Sequence, residues 1–151
     1  VKIHTVHNSI IKKKLGDPKL SYLEQFFKWL ENNRAFYDEF AKYTFRIMET
    51  GKTHYSSDAI FHVLRYNLEV AVYNEDIMYN EEGKPIKVRD GFTAYMARYF
   101  MYQHPEHGPY IDAFGEYQHG FFHARPIRDA RNKWGDEWWK VRVLGQHKKA
   151  A

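Results

Sequence analysis

The stretch that most constrains this chain is SYLEQFFKWLENNRAFYDEFAKYTFRIMETG, residues 21–51, because its apolar residues return with helical spacing twice before a glycine stops them. Leu23, Phe26, Phe27 and Leu30 fall at i, i+3, i+4 and i+7, and Ser21 is placed to cap the turn they begin. From Asn33 a second stripe runs through Phe36, Phe40, Tyr43 and Ile47, with Ala41, Thr44 and Met48 beside it. Asp38, Glu39, Lys42, Arg46 and Glu49 take the polar face, and Gly51 is the natural C-terminal stop. Two amphipathic helices in immediate succession commit the chain to a helical core.

A third helix is predicted in HYSSDAIFHVLRYNLEVAVY. Ser56 or Ser57 caps it, Asp58 sits against the positive end of the helix dipole, and Ile60, Val63, Leu64, Leu68, Ala71 and Val72 form the buried stripe. Next, EDIMYNEEGKPIKVRD holds two short apolar runs, Ile77–Tyr79 and Ile86–Val88, around a turn-forming Asn-Glu-Glu-Gly-Lys, which reads as a β-hairpin at about 76–89. Asp90 then caps a fourth helix, GFTAYMARYFMYQ, with Phe92, Tyr95, Met96, Tyr99 and Phe100 facing inward until Pro105 prevents continuation. Beyond residue 104 the periodicity fails. Pro105, Gly108, Pro109, Gly115, Gly120 and Pro126 cut the chain into loops with aromatic anchors, and only WWKVRVL, around Trp138–Leu144, suggests a further strand or short helix.

The expected architecture is therefore mainly α: a four-helix domain with one β-hairpin, open to a winged-helix reading, and an irregular aromatic-rich C-terminal region. At 151 residues, 44% of them hydrophobic and 18% aromatic, the chain is long enough to bury a real core. The predicted boundaries are a basic N-terminal arm at 1–20, the helical domain at 21–125 and a basic C-terminal extension at 126–151. No apolar run reaches the roughly 18 to 20 residues needed to cross a bilayer, and VKIHTVHNSIIKKK is too polar for a signal peptide. The absence of cysteine suits a reducing compartment. A soluble, cytoplasmic protein without membrane contact is the expectation.

Charge is unevenly placed. Residues 1–20 carry +4 and residues 124–151 carry +5, so a total of +4 leaves −5 on residues 21–123. An acidic body between basic ends is a layout by which arms bind nucleic acid, since each Lys or Arg that meets a phosphate releases condensed counterions. Ordinary solubility gives the same pattern. The order helix, helix, helix, hairpin is that of a winged-helix module, in which the third helix enters a groove and the hairpin forms the wing. On that reading His62, Arg65, Tyr66 and Asn67 face the groove, with Lys84, Lys87 and Arg89 on the wing. Lys12, Lys13, Lys14, Arg125, Arg128 and Arg131 join the wing in contacting phosphates. A helical bundle with a hairpin, built for protein contacts, reads from the same string, with Trp134, Trp138 and Trp139 as candidate contact residues.

Catalytic motifs are scarce. The chain has no nucleophilic Gly-x-Ser-x-Gly elbow and no glycine-rich phosphate loop. The acid pairs Asp38-Glu39 and Glu81-Glu82 read as solvated faces. Tyr95, Tyr99 and Tyr102 recur at helical spacing beside Arg98 and offer either base stacking or core filling. One stretch imitates a metal module: HPEHGPYIDAFGEYQHGFFHARP places His104, His107, His119 and His123 as H-x2-H, eleven residues, H-x3-H. With Glu106 as a base, that set would give a metal-dependent hydrolase. Nine histidines in the chain make such spacings easy to meet by chance, and His104 reads equally well as the end of the fourth helix. No cofactor is expected.

The run FYDEFAKYTFRIMETGKTHYSSDAIFHVLRYNLEV, the short polar hairpin, then YMARYFMYQHPEH and FFHAR resemble a set of small proteins encoded by bacteriophages and prophages. The likeness spans roughly residues 36–125 and rests on SSDAIFHVLRYN, YMARYFM-x2-HPE and FF-x-x-R. It implies a phage or prophage origin, with an infected bacterial cytoplasm as the setting and a host or phage protein as an alternative partner, and it supplies no catalytic residues. One departure is that GPYIDAFGEYQHG stands between the HPE element and the double Phe, so His119 falls in what reads as an inserted surface loop.

Overall fold

In the computed structural model of the chain, the described residues are 22–73 and 77–123. Four helices carry the fold: α1 (Tyr22–Asn32), α2 (Arg34–Glu49), α3 (Ser57–Tyr73) and α4 (Thr93–Gln103). Short 3-10 turns at Asp90–Phe92 and Pro105–His107 bracket α4, and a two-stranded antiparallel sheet pairs β1 (Tyr110–Ile111) with β2 (Tyr117–Gln118). The basic arm and extension, including Lys12, Lys13, Lys14, Arg125, Arg128 and Arg131, lie outside the described residues, as do WWKVRVL and the three C-terminal tryptophans.

A single residue separates α1 from α2. Asn33 is buried and its side-chain amide donates to the Trp29 carbonyl at 2.7 Å, satisfying one of the acceptors that a helix end leaves open. α2 ends as its glycine predicts: Thr50 and Gly51 donate back to Ile47 and Met48, and Gly51 takes the left-handed φ of 92°. Ser56 Oγ accepts from the Ala59 amide at 3.2 Å, the cap expected for α3. α4 starts one turn after Asp90, where Thr93 Oγ1 donates to the Asp90 carbonyl, and stops before Pro105.

The core is built of rings. Phe26 lies within 5.5–6.4 Å of Phe27, Trp29, Phe92, Tyr95 and Tyr99, and a second knot joins Phe40, Phe100 and Phe122. Such pairs add about 0.5–1.5 kcal/mol each beyond the area they bury. Trp29, left off the predicted α1 stripe, is buried because its indole Nε1 donates to the Lys87 carbonyl at 2.6 Å. Val63, placed on the α3 stripe, is 48% exposed instead, and Phe61 takes the inward position. Among the tyrosines of α4, Tyr99 is buried, so core filling accounts for it. Its hydroxyl accepts from Gln103 Nε2 at 3.0 Å, and Tyr37 donates to Gln103 Oε1 at 2.6 Å. Burial first, then the neighbouring Tyr99, pushes the Tyr37 phenol far above its ordinary range and keeps it a donor.

The predicted hairpin at 76–89 is present as a turn closed by one bridge, Tyr79 to Pro85. Asn80 donates to the Lys84 carbonyl, Ile86 donates to Met78, and Asn80 Oδ1 accepts from the Glu82 and Lys84 amides. Pro85 has no N–H to extend the ladder. The sheet proper forms in the region where periodicity fails, because strands of two residues are too short to display alternation. No helix among the described residues is long and apolar enough to cross a membrane.

Candidate functional site

After α4 the chain makes a closed excursion. His104 donates to the Phe100 carbonyl at 2.9 Å, and the 3-10 turn follows. The β1–β2 hairpin then leaves the body and returns, and the Phe121 amide donates to the His107 carbonyl at 2.8 Å. Its tip is organised by Asp112, whose Oδ1 accepts from the Phe114 and Glu116 amides at 2.9 and 3.0 Å and whose Oδ2 accepts from Gln118 Nε2 at 2.9 Å. The Glu116 amide foremost holds the Asp112 carboxyl below its ordinary value, with the Gln118 and Phe114 bonds adding to it. Phe114 is left 89% exposed at the tip.

Two features fasten the return. Phe121 and Phe122 are buried in the core, which is the anchoring role read from FFHAR. Gly120 passes the segment ahead of β1 so closely that a Cβ would stand 2.6 Å from the Gly108 carbonyl carbon, at a φ of +75°. The Phe121 carbonyl also accepts from the Tyr55 amide at 3.1 Å, drawing the segment before α3 alongside.

The outcome is a cavity of about 420 Å³ whose lining includes Thr53, His54, His107, Tyr110, His119 and His123, with Glu106 and Gln118 at its wall. The His119 and His123 rings stack 4.8 Å apart at 11°, and His54 lies 5.5 Å from His123. Thr53 Oγ1 stands 3.3 Å from His54 Nδ1. Burial chiefly, then the charges His119 and His54 would carry, hold the His123 imidazole below its ordinary value.

Of the four histidines singled out by spacing, three line this cavity and one does not. His104 packs on Phe100 at 4.7 Å and edge-on to Phe45 at 5.1 Å. Glu106 Oε1 lies 3.8 Å from both His104 Nδ1 and His107 Nε2. Among the described residues no group of three or more His, Cys, Asp or Glu stands close enough to hold a metal ion. His54 escapes the sequence reading altogether: it joins the group through a backbone hydrogen bond between distant segments, which leaves no spacing to detect.

The groove-facing residues proposed for α3 are distributed differently. His62, Tyr66 and Asn67 are exposed, Tyr66 to 65%, while Asn67 Nδ2 donates to the Tyr43 hydroxyl at 3.2 Å. Arg65 turns back to pair with Asp90, and Arg89 donates to Gln25 and lies over the Phe92 ring at 5.7 Å. Lys84 and Lys87 are exposed on the 78–88 turn, with Lys84 4.0 Å from Glu82. The chain matches no protein-family model, no curated protein and no solved structure.

Proposed function

We propose that this chain is a phage-associated nucleic-acid-binding or regulatory protein that acts without chemistry of its own. The observation that carries the reading is the exposed row of His62, Tyr66 and Asn67 on α3, followed along the chain by a turn that exposes Lys84 and Lys87. A tyrosine two-thirds exposed on a rigid helix offers a stacking face, and exposed lysines release counterions when they meet phosphate. The acidic middle repels a polyanion, so the basic flanks of +4 and +5 supply most of the attraction and α3 the close contact. Arg65 and Arg89 contribute less than their type suggests, since each already holds an intramolecular partner.

Fluorescence anisotropy of the full chain with labelled duplex and single-stranded oligonucleotides, from about 50 to about 200 mM salt, tests the reading. Log affinity should fall linearly with log salt, and reversing Lys84 and Lys87 to Glu should flatten the slope. Tyr66→Ala should weaken binding by about 1–3 kcal/mol if a base stacks there. Absence of binding to either form at the lowest salt sinks the proposal. A protein partner is the second reading, supported by Val63, Tyr66 and Tyr79 lying exposed on neighbouring elements and by the bare ring of Phe114.

A further inference from the structure

Four imidazoles reach one cavity: His54 from the segment ahead of α3, His107 from the 3-10 turn after α4, His119 from just after β2, and His123 from just beyond the buried Phe pair. Two of the rings stack at 4.8 Å. Neutral imidazoles tolerate that separation, whereas two imidazolium rings repel across it. The remaining polar lining supplies the Thr53 and Tyr110 hydroxyls, the Gln118 amide and one carboxylate, Glu106, and it includes no Lys or Arg. The positive charge of this cavity is therefore set by how many protons its histidines hold.

We propose that the cavity binds a tetrahedral oxyanion, a phosphate or sulfate group, taken up together with protons by His119 and His123. An anion held at the edges of the two stacked rings, where imidazole N–H groups lie, cancels their mutual repulsion and receives a charge-assisted hydrogen bond from each, the strong kind in a partly enclosed site. Acidic competition is limited. Glu106 is shared between His104 and His107 at 3.8 Å, and Asp112 is engaged by two hairpin amides and Gln118. The other groups that face the pair are His54 from before α3, His107 from the 3-10 turn and Tyr110 from β1, while the Lys52 ammonium lies over the Tyr55 ring at 6.0 Å. With no ligand, burial and the neighbouring imidazoles hold the His123 imidazole below its ordinary value, so an anion that charges the ring draws a proton from solution. The cavity has no lining residue on α3, and its test stands apart from the nucleic-acid reading.

Sulfate is the sharper probe, because its charge stays constant across the range in which histidine titrates, and inorganic phosphate is the companion. Calorimetry on the full chain should show sulfate binding about tenfold tighter near pH 5.5 than near pH 7.5, the effect of raising one imidazole pKa by about one unit. Imidazole NMR titrations should show sulfate raising the apparent pKa of His119 and His123. His119→Gln should abolish most of the acid-side gain. Competition by a 5′-phosphorylated oligonucleotide but not by its 5′-hydroxyl twin assigns the group to a nucleic-acid end; competition by neither assigns the free ion. Sulfate affinity that is flat with pH, or unchanged in His119→Gln, overturns the proposal. Should that variant fail to fold, imidazole pKa values of the unaltered chain that sulfate leaves in place overturn it equally.

Discussion

In the helical body, residues 22–103, rings pack on rings: Phe26, Phe27, Phe36, Phe40, Phe92 and Phe100 are all inaccessible or nearly so. In the excursion at 104–123 Phe121 and Phe122 enter the core, Tyr117 and His104 pack against it, and the rest is shaped by single hydrogen bonds, one carboxylate and two left-handed glycines. The body draws its stability from burial. The excursion buries little, and for that reason keeps its histidines available to solvent and ligand.

The largest expected effect comes from breaking the seam between the two. Phe100 touches Phe40, Phe45, His104 and Phe122 at 4.7–6.5 Å and is fully buried. Phe100→Ala should cost about 3–5 kcal/mol in urea unfolding, and a loss under 1 kcal/mol would mean that the seam carries no load. Gly120→Ala acts on the excursion alone. Its Cβ would strike backbone, so we expect about 1–3 kcal/mol of destabilisation together with displaced His119 and His123 NMR signals. Unmoved imidazole signals would show that the cavity does not depend on that crossing.

A smaller change separates the regions cleanly. Asp112→Ala should speed hydrogen exchange at the Phe114 and Glu116 amides while leaving the helices protected, and uniform loss of protection would erase the distinction. Acid should do the same to the unaltered chain. The folded carboxyl lies below its ordinary 3.8, so its contribution is full above that pH and disappears as pH falls through the lower folded value. His123 acts in the same sense at milder pH: held below its ordinary 6.5, it lowers stability progressively as pH falls beneath that figure, because the unfolded chain then binds the extra proton. Phe114→Ser, at the bare tip, should move the unfolding midpoint least, within about 0.5 kcal/mol.

The same contrast explains what could be read in advance. Helical periodicity placed α1 to α4, since a stripe such as Leu23, Phe26, Phe27 and Leu30 repeats its signal over several turns, and Gly51 and Pro105 marked the ends of α2 and α4. It erred where one bond overrides the average, as at Trp29, whose indole finds the Lys87 carbonyl. In the excursion the organising facts are individual. Asp112 before Ala-Phe-Gly is an ordinary turn sequence whose three accepted hydrogen bonds no period announces. The cavity was partly visible as a cluster of histidines, but spacing favoured His104, which packs against rings, and gave no reason to include His54.

The hydrogen bond from the Tyr55 amide to the Phe121 carbonyl has a kinetic consequence. It joins segments far apart in the chain, and the loop it closes contains α3 and α4. We expect the cavity to be a late-assembling unit: closing so long a loop costs entropy that the packing of α3 and α4 offsets first, and the histidines then meet.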